Sequence, residues 1–383
     1  MVKMKDPRIY EYRYWDQLVN HLGGDVNKLF NGEFVWPKQL EIHLAPSNGV
    51  KACPLSCSFC GGKLFDKTLG HWEMDALELL AKINGAIPSV IFGGSYTEPL
   101  GSCYFAAFLA ATKKYGSHFG VHTSGINLLQ LEESTGLLTE MNRISTDKED
   151  YLSISLDAGL ADSWALAKGV NHPEWFDDII SAIERAVKIR KENGGGHAIR
   201  ICYLISPATD SVENFSAITK IAKEIGVHSL RFSIPFAHYN QSFDTVRKYR
   251  ANREIPGDAL YREGLAPYLS ESMDEQPYIF YSPPWFTDVD RFTFDRCFYS
   301  YFQATLGADG FVYRCSTTAT PTAGHCRLGK ITSDLDEFKS MIVKNQQDPW
   351  DCKEMCFDRG LRGNRMAIEI NTKAQELMEK NGQ

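Results

Sequence analysis

Short β-like runs alternate with amphipathic helical stretches along this chain, starting near residue 39. The runs that are typical of strands are Gln39 to Leu44, Ser89 to Phe92, Phe119 to Thr123, Tyr151 to Leu156, Ile199 to Ile205 and Ser229 to Ile234. Alternating strands and helices form a parallel sheet with helices packed outside it, and right-handed crossovers roll such a sheet toward a barrel. The pattern therefore predicts an α/β fold, a partial (β/α)6 barrel of the TIM type. In such barrels the chemistry lies in the loops that follow the strands.

Two of the intervening stretches show the helix pattern clearly. In "WFDDIISAIERAVKIRK", Ile179, Ile183, Ala186 and Val187 keep the period of about 3.6 residues that a buried helix face requires. The stretch "SVENFSAITKIAKEIG" ends on Gly226, which predicts that a glycine caps this helix.

The strand-helix rhythm breaks after the sixth strand, where a polar segment leads into an aromatic-rich one. This break predicts three regions: an N-terminal extension over 1–38, the barrel over 39–282 and a C-terminal domain over 283–383. The extension is too short to be a separate peptide-binding domain.

Composition excludes several classes of function. With 43% hydrophobic and 23% charged residues, the 383-residue chain is typical of a soluble globular protein. A net charge of −7 argues against a nucleic-acid partner, because phosphate binding relies on a basic surface. No apolar run is long enough to cross a bilayer, which predicts a cytoplasmic protein without a membrane partner.

The ten cysteines are unevenly distributed, with three from Cys53 to Cys60 and five from Cys297 to Cys356. Cytoplasmic cysteines rarely form disulfides, so the clustering indicates metal sites. Cys53, Cys57 and Cys60 share one loop after the first strand. Structural zinc takes four protein ligands and ferredoxin clusters are held by four cysteines, so three clustered thiols indicate a metal centre with one open position. The alternative is a zinc site whose fourth ligand is distant.

The spacing Cys53-x3-Cys57-x2-Cys60, with Phe59 just before the last cysteine, resembles the signature of the radical S-adenosylmethionine (SAM) superfamily. The resemblance implies that the three thiolates hold three irons of a [4Fe-4S] cluster and that SAM chelates the fourth. Reduction of the cluster then cleaves SAM to a 5′-deoxyadenosyl radical, which removes a hydrogen atom from an unactivated C–H bond. A flavodoxin or ferredoxin type protein is the expected reductant.

The stretch "FGGSYTEPL" is similar to the family's Gly-Gly-Glu-Pro motif, with three residues inserted before the Glu-Pro pair. It implies that the backbone at Gly93 and Gly94 approaches the methionyl group of SAM and that Glu98 accepts a hydrogen bond from its ammonium. A plain turn with two glycines is the alternative.

The stretches "HTSG" and "SISLDAG" resemble the next SAM-contacting strand ends, and "ALAKGV" stands where many relatives have Arg-Gly. They imply SAM contacts from Ser124, Ser153, Ser155, Asp157 and Lys168. Strand alternation predicts that Ser153, Ser155 and Asp157 point the same way. The lysine keeps the positive charge of the arginine but lacks its bidentate fork. The alternative is a polar barrel interior with internal hydrogen bonds.

The second cysteine group consists of Cys297, Cys315, Cys326, Cys352 and Cys356. The stretches "LGADGFVYRCSTT" and "CRLGKI" resemble the β-hairpin at the start of Twitch and SPASM domains, which carry auxiliary iron-sulfur clusters. The resemblance implies a Twitch-like domain over 283–383 with one auxiliary [4Fe-4S] cluster on Cys297, Cys315, Cys352 and Cys356. Cys326 is then spare or replaces one of the last pair. A zinc ribbon is the alternative.

Three further residues are candidates for contact with the substrate. Cys103, soon after Glu98, is a candidate donor of a hydrogen atom to a product radical, although a lone cysteine is more often a small buried hydrophobe. His238 and Tyr239 follow the sixth strand, at the rim of the predicted active site.

Fold and cofactor are shared across many radical reactions, so they leave the substrate open. The short N-terminal extension and the single auxiliary cluster predict a small polar substrate of sugar, aminoglycoside or nucleoside type, which is dehydrogenated, epimerised or dehydrated. The alternative within the family is a maturase that modifies a ribosomally made peptide. Outside the family, an iron-sulfur electron carrier or a zinc-binding module is the alternative if both cysteine groups hold four-ligand metals.

Overall fold

The computed structural model describes residues 14–44, 53–57, 72–94, 97–233, 278–282, 296–319, 321–349 and 365–382. All six predicted strands are present, as β1 (Gln39–His43), β2 (Ser89–Gly93), β3 (His118–Thr123), β4 (Tyr151–Ser155), β5 (Ala198–Leu204) and β6 (Ser229–Ser233). The structure adds β7 (Tyr278–Ser282), β8 (Gln303–Leu306), β9 (Phe311–Tyr313) and β10 (Arg327–Lys330). In the described part of the chain these strands form one ten-stranded sheet, in the order β10-β9-β8-β1-β2-β3-β4-β5-β6-β7.

Strands β1 to β7 lie side by side in chain order, and all of their pairings are parallel. This arrangement confirms the α/β fold class and is that of a partial TIM-like barrel. Strand β7 comes from "YIFYS", at the end of the segment that follows the break in the sequence rhythm, where aromatic and β-branched residues favour a strand.

Helices connect the strands and cover one face of the sheet. They are α1 (Tyr14–His21), α2 (Asn27–Phe30), α3 (Trp72–Ile83), α4 (Phe105–Lys114), α5 (Leu128–Thr135), α6 (Leu137–Ile144), α7 (Ala161–Lys168), α8 (Trp175–Glu192), α9 (Val212–Ile225), α10 (Leu335–Gln347) and α11 (Arg365–Asn381). In α8 the predicted face is buried, including Ile179 and Ile183. Helix α9 ends at Gly226, whose φ of +78° confirms the predicted glycine cap. Among the described residues, none of these helices combines the length and the apolar composition that a membrane span requires.

The C-terminal strands continue the sheet of the barrel. Strand β8 pairs in parallel with β1, and β9 and β10 follow as antiparallel neighbours. The N-terminal helices pack nearby, because Leu18 and Leu29 share a buried cluster with Phe298, Tyr301 and Ile368. The predicted boundaries of the three regions stay predictions. The structure adds that the first and the last of these regions share this second core.

Candidate functional site

The sheet has one apolar and one polar face. Leu40, Ile42, Leu152 and Ile154 are among the strand residues that pack into the core with the helices. Side chains alternate along a strand, so the residues between them share the opposite face, which we call the inner face. Its polar members include Glu41, His43, His122, Tyr151, Ser153, Ser155, Arg200, Cys202, Arg231, Ser233, Gln303 and Thr305.

Tyr151 lies at the centre of the polar contacts on the inner face. Its hydroxyl is 3.0 Å from Nε2 of His122, and the guanidinium of Arg200 lies 4.1 Å from the centre of its ring. The ring passes over Gly120, where an added Cβ would be 2.4 Å from Cζ, so a side chain there would displace it. Burial, assisted by the nearby charge of Arg231, lowers the pKa of His122 to about 4. The inner face therefore presents a neutral imidazole beside positive charge.

The loop that carries Cys53 and Cys57 is fixed to the C-terminal end of α7. The N–H of Ser56 donates to the carbonyl of Lys168 at 2.9 Å. Gly169 follows with a φ of +64°, and a Cβ there would lie 2.3 Å from the Ser56 carbonyl oxygen. Only glycine allows this approach, because it has no Cβ and adopts positive φ at low cost. Both described cysteines are half-buried against the core.

Lys168 and Asp157 form a buried pair beneath this loop. Their side chains are 2% and 1% exposed, and Nζ of Lys168 donates to Oδ2 of Asp157 at 2.5 Å and to the carbonyl of Ser155 at 2.7 Å. Asp157 follows the end of β4 with a φ of +63°, and its Oδ1 accepts from the N–H of Leu204 at 2.7 Å. Because of this positive φ, the Asp157 side chain does not follow the alternation of side chains along β4, and its carboxylate contacts Lys168.

The charge of Lys168 also reaches the cysteines. Burial lowers the pKa of this lysine, but the negative charges of Asp157, Cys57 and Cys53, with the hydrogen bond to Asp157, raise it above its ordinary value. The interaction is mutual, so a fixed positive charge favours the thiolate form of the two cysteines.

Glu98 links the carboxyl ends of β2 and β3. Its Oε1 accepts from the hydroxyl of Thr123 at 2.6 Å and from the N–H of Leu100 at 3.4 Å. Its Oε2 accepts from the N–H of Ser124 at 2.8 Å and from its hydroxyl at 2.6 Å. Burial raises the pKa of Glu98, and these hydrogen bonds oppose that rise. The structure thus brings together two predicted site residues, Glu98 and Ser124.

Gly94 occupies a crowded position after β2. Its φ is +150°, and a Cβ there would lie 2.3 Å from Oγ1 of Thr97 and 3.3 Å from Cγ of His43. Gly93 is less crowded, since its nearest neighbour would be Cβ of His122 at 3.4 Å. The glycines allow the ends of β1, β2 and β3 to approach each other closely.

Solved structures with a similar fold include SuiB of Streptococcus suis bound to precursor peptide SuiA, with a TM-score of 0.56 and 13% identity over 86% of this chain and 68% of SuiB. SuiB in another crystal structure gives a TM-score of 0.54 and 14% identity over 92% and 75% of the two chains. The structure of polyhistidine-tagged anSMEcpe with bound AdoMet gives a TM-score of 0.50 and 15% identity over 89% of this chain and 96% of anSMEcpe. The chain has the radical SAM fold. No protein-family model and no curated protein matches the sequence.

In the radical SAM fold, the first cysteine group fits an iron-sulfur cluster by its donor chemistry. Cys53 and Cys57 supply soft sulfur ligands on a fixed loop, and Lys168 favours their thiolate form, which is the form that binds metal. Cys60 and Phe59, predicted as the third ligand and its neighbour, lie outside the described residues.

The second cysteine group gathers in the smaller buried core. Cys315 and Cys326 are 7% and 0% exposed, and Cys297 packs against the same cluster. Burial raises the pKa of Tyr299, and the negative charges of Cys315 and Cys297 contribute to this rise, so both thiols lie near this phenol. Asn371 of α11 donates from Nδ2 to Sγ of Cys297 at 3.7 Å. These soft donors fit an iron-sulfur cluster or zinc. The predicted ligands Cys352 and Cys356 lie outside the described residues.

The remaining predicted residues are not gathered at one point. Ser153 is buried on the inner face, with Oγ 3.0 Å from Sγ of Cys202, and Ser155 contributes its carbonyl to Lys168. Cys103 is exposed in the loop before α4. The predicted substrate contacts His238 and Tyr239 lie outside the described residues.

Sequence reasoning missed most of the polar inner face, including Glu41, His43, His122, Arg200 and Gln303. The signal was present in the strands themselves, where "QLEIH" and "AIRICYL" alternate apolar and polar residues. Strands of a parallel sheet are usually apolar on both faces, so this alternation indicates an interior that is kept polar.

Proposed function

We propose that this chain is a radical SAM enzyme whose [4Fe-4S] cluster is held by Cys53, Cys57 and Cys60. The observation that carries the proposal is the fixed loop of the first two cysteines, bound to α7 beside the buried charge of Lys168. The fold shared with anSMEcpe, whose structure holds AdoMet, supports SAM as the cofactor. When bound, the cluster and SAM supply a 5′-deoxyadenosyl radical that removes a hydrogen atom from the substrate.

The chain's own residues position these groups. Lys168 holds positive charge beside the thiolates, and Asp157 holds Lys168. Glu98 joins the ends of β2 and β3, where the resemblance implies that SAM binds. We assign Asp157 and Lys168 a positioning role, because their side chains bind each other and the backbone at Ser155 and Leu204, while the Lys168 carbonyl holds the cysteine loop.

We infer that the substrate is a ribosomally made peptide. The support is the likeness to SuiB, which was solved with precursor peptide SuiA bound. The polar inner face suits the backbone and polar side chains of a peptide as well as a sugar or nucleoside. The small polar substrate expected from the sequence stays a prediction, and the peptide test below decides between the two.

We further propose that Cys297, Cys315, Cys352 and Cys356 hold one auxiliary [4Fe-4S] cluster and that a flavodoxin or ferredoxin type protein supplies electrons. The support is the convergence of Cys297 and Cys315 near Tyr299 in a buried, apolar setting. Burial away from water is the usual environment of a cluster that exchanges electrons without losing iron.

The proposed chemistry is tested by SAM cleavage. Anaerobically reconstituted protein is expected to hold about eight iron and eight sulfide ions per chain, four for each of two clusters. With dithionite and SAM it should release 5′-deoxyadenosine, which is measured by liquid chromatography. Cys57→Ala should abolish this release.

Ser56→Ala is the matched control, because it keeps the backbone N–H that bonds to Lys168. It should cleave SAM like the unaltered protein. Release of 5′-deoxyadenosine that survives in Cys57→Ala would refute the assignment of the first cluster.

The substrate class is tested with the short peptides encoded beside the gene. A precursor peptide should increase the release of 5′-deoxyadenosine and undergo a mass change, whereas a version without its leader segment should not. Turnover of a sugar or nucleoside, with no response to any peptide, would favour the small-substrate prediction instead.

The auxiliary cluster is tested by Cys315→Ala. Iron content should fall to about four ions per chain, the content of one cluster, while SAM cleavage continues. Full retention of iron would contradict the auxiliary site.

A further inference from the structure

A chain of buried hydrogen bonds joins β8 to the carboxyl end of β1 on the inner face. Nε2 of Gln303 donates to Oε2 of Glu41 at 2.8 Å, and Oε1 of Glu41 lies 2.7 Å from Nε2 of His43. Gln303 and His43 are each 1% exposed, and the Glu41 side chain is 14% exposed. His43 is the last residue of β1 and lies beside Gly94.

The orientation of the Gln303 amide follows from its neighbours. The backbone N–H of Ser316 is an obligate donor and lies 3.2 Å from Oε1 of Gln303. The hydroxyl of Tyr299 lies 3.1 Å from the same oxygen. The amide nitrogen must therefore face Glu41, since a carboxylate can only accept.

The same reasoning fixes the tautomer of His43. Burial raises the pKa of Glu41, but opposing causes, led by the hydrogen bond from His43 and including the one from Gln303, lower it below its ordinary value, so the carboxylate is ionised. An ionised carboxylate accepts, so Nε2 of His43 carries a proton. In the neutral ring, Nδ1 then holds a lone pair.

Stability does not explain the burial of this group. Burial of a charge such as the Glu41 carboxylate carries a large desolvation cost, and replacing buried charged groups by well-packed apolar residues is often neutral or stabilising. A carboxylate that fixes a histidine tautomer is instead the arrangement that makes an imidazole an effective proton acceptor.

We propose that His43 is the proton acceptor of the barrel site and that Glu41 and Gln303 are its positioning residues. Nδ1 accepts a proton from the bound substrate, the substrate keeps the electron pair of the broken bond, and the imidazolium is stabilised by the Glu41 carboxylate. The proposal rests on the proposed function only for the identity of the molecule that gives up the proton. The titratable and charged groups around the pair are His122 on β3, which interacts with Glu41, and Arg200 and Arg231, which act on His122.

The test is the protonation state of the His43 ring nitrogens, read by long-range 1H–15N spectra of reconstituted, oxidised protein with 15N-labelled histidine. The His43 signals are assigned as those lost in His43→Gln. In the neutral ring we expect the proton on Nε2 and none on Nδ1.

Glu41→Gln should shift the His43 signals toward a mixture of tautomers, because an amide can accept or donate. Gln303→Leu should shift them in the same direction by a smaller amount. Thr305→Val is the matched control on β8, since Oγ1 of Thr305 makes no hydrogen bond with the described residues, and it should leave the His43 signals in place. Unchanged signals of His197, which is buried and whose charged neighbours are Asp150 and Arg190, show that each variant is folded.

A proton on Nδ1 in the unaltered protein would overturn the proposal. So would identical His43 spectra in the unaltered protein and in Glu41→Gln. These spectra require no SAM, so a failure of SAM cleavage refutes the proposed function independently. If a variant does not fold, the spectrum of the unaltered protein decides.

Discussion

Lys168→Met removes the positive charge beneath the cysteine loop and leaves Asp157 as a buried anion. Lys168 and Asp157 are both almost fully buried, and Nζ of Lys168 bonds to the carboxylate and to the carbonyl of Ser155. Removing one partner of a buried ion pair costs about 3–5 kcal/mol, because the remaining charge has lost its compensation. We expect the free energy of unfolding at pH 7 to fall by that amount, measured by urea unfolding under anaerobic conditions.

A second substitution separates the stability of the pair from its role at the cysteines. Asp157→Asn removes the buried charge and keeps an acceptor for the N–H of Leu204, and asparagine tolerates the positive φ of this position. The double variant Asp157→Asn/Lys168→Met should therefore recover most of the lost stability. It should still bind less iron than the unaltered protein, because the charge that favours the thiolates is gone.

Two results would refute this reasoning. A loss of less than about 1 kcal/mol in Lys168→Met would mean that the pair is not desolvated as its burial indicates, since exposed pairs contribute that little. Full iron content in the stable double variant would show that Lys168 only compensates the buried charge of Asp157 and does not assist the cysteines in binding iron. Asp157→Asn alone is the control for the effect of the asparagine.

Three further predictions follow from single positions. Gly169→Ala should lower the iron content measured after anaerobic reconstitution, because the new Cβ would lie 2.3 Å from the Ser56 carbonyl oxygen. Gly136→Ala is the control and should keep the iron content, because Gly136 has a similar φ of +67° but no atom within 4 Å of an added Cβ. Glu98→Gln should lower the free energy of unfolding in urea by about 1–3 kcal/mol, because the amide has one acceptor oxygen where Glu98 uses two. An unchanged urea midpoint would contradict the hydrogen bonds assigned to Glu98. His197 is 1% exposed, and burial lowers its pKa from 6.5 to about 4. As the pH falls, the unfolded chain therefore binds a proton at this residue before the folded chain does. The free energy of unfolding should fall by about 3 kcal/mol between pH 6.5 and pH 4 because of this residue. His197→Leu should lose that part of the pH dependence, and equal slopes for both proteins would contradict the assignment.

The sequence was sufficient to predict the first six strands and the fold class. Each strand is a short β-like run, and the helical stretches between them repeat apolar residues at the helical period, so neighbouring residues carry the signal. The Gly226 cap was predictable for the same reason, because positive φ after a helix favours glycine. The cysteine spacing pointed to the radical SAM superfamily, and the fold agrees with it.

Tertiary structure decided which residues meet. The sequence marks Asp157 as a polar residue near a strand end and Lys168 as a basic residue before a glycine, but only the fold turns the carboxylate out of the strand alternation and onto the lysine. Likewise, Gln303 contacts Glu41 across 262 positions because β8 lies beside β1 in the sheet. Local patterns record which face of an element is buried, whereas the partner of a buried polar group depends on how distant segments pack. The amino-acid sequence therefore determined which segments form the strands and the cysteine loop. The hydrogen bonds and ion pairs around them were decided by the packing of distant segments.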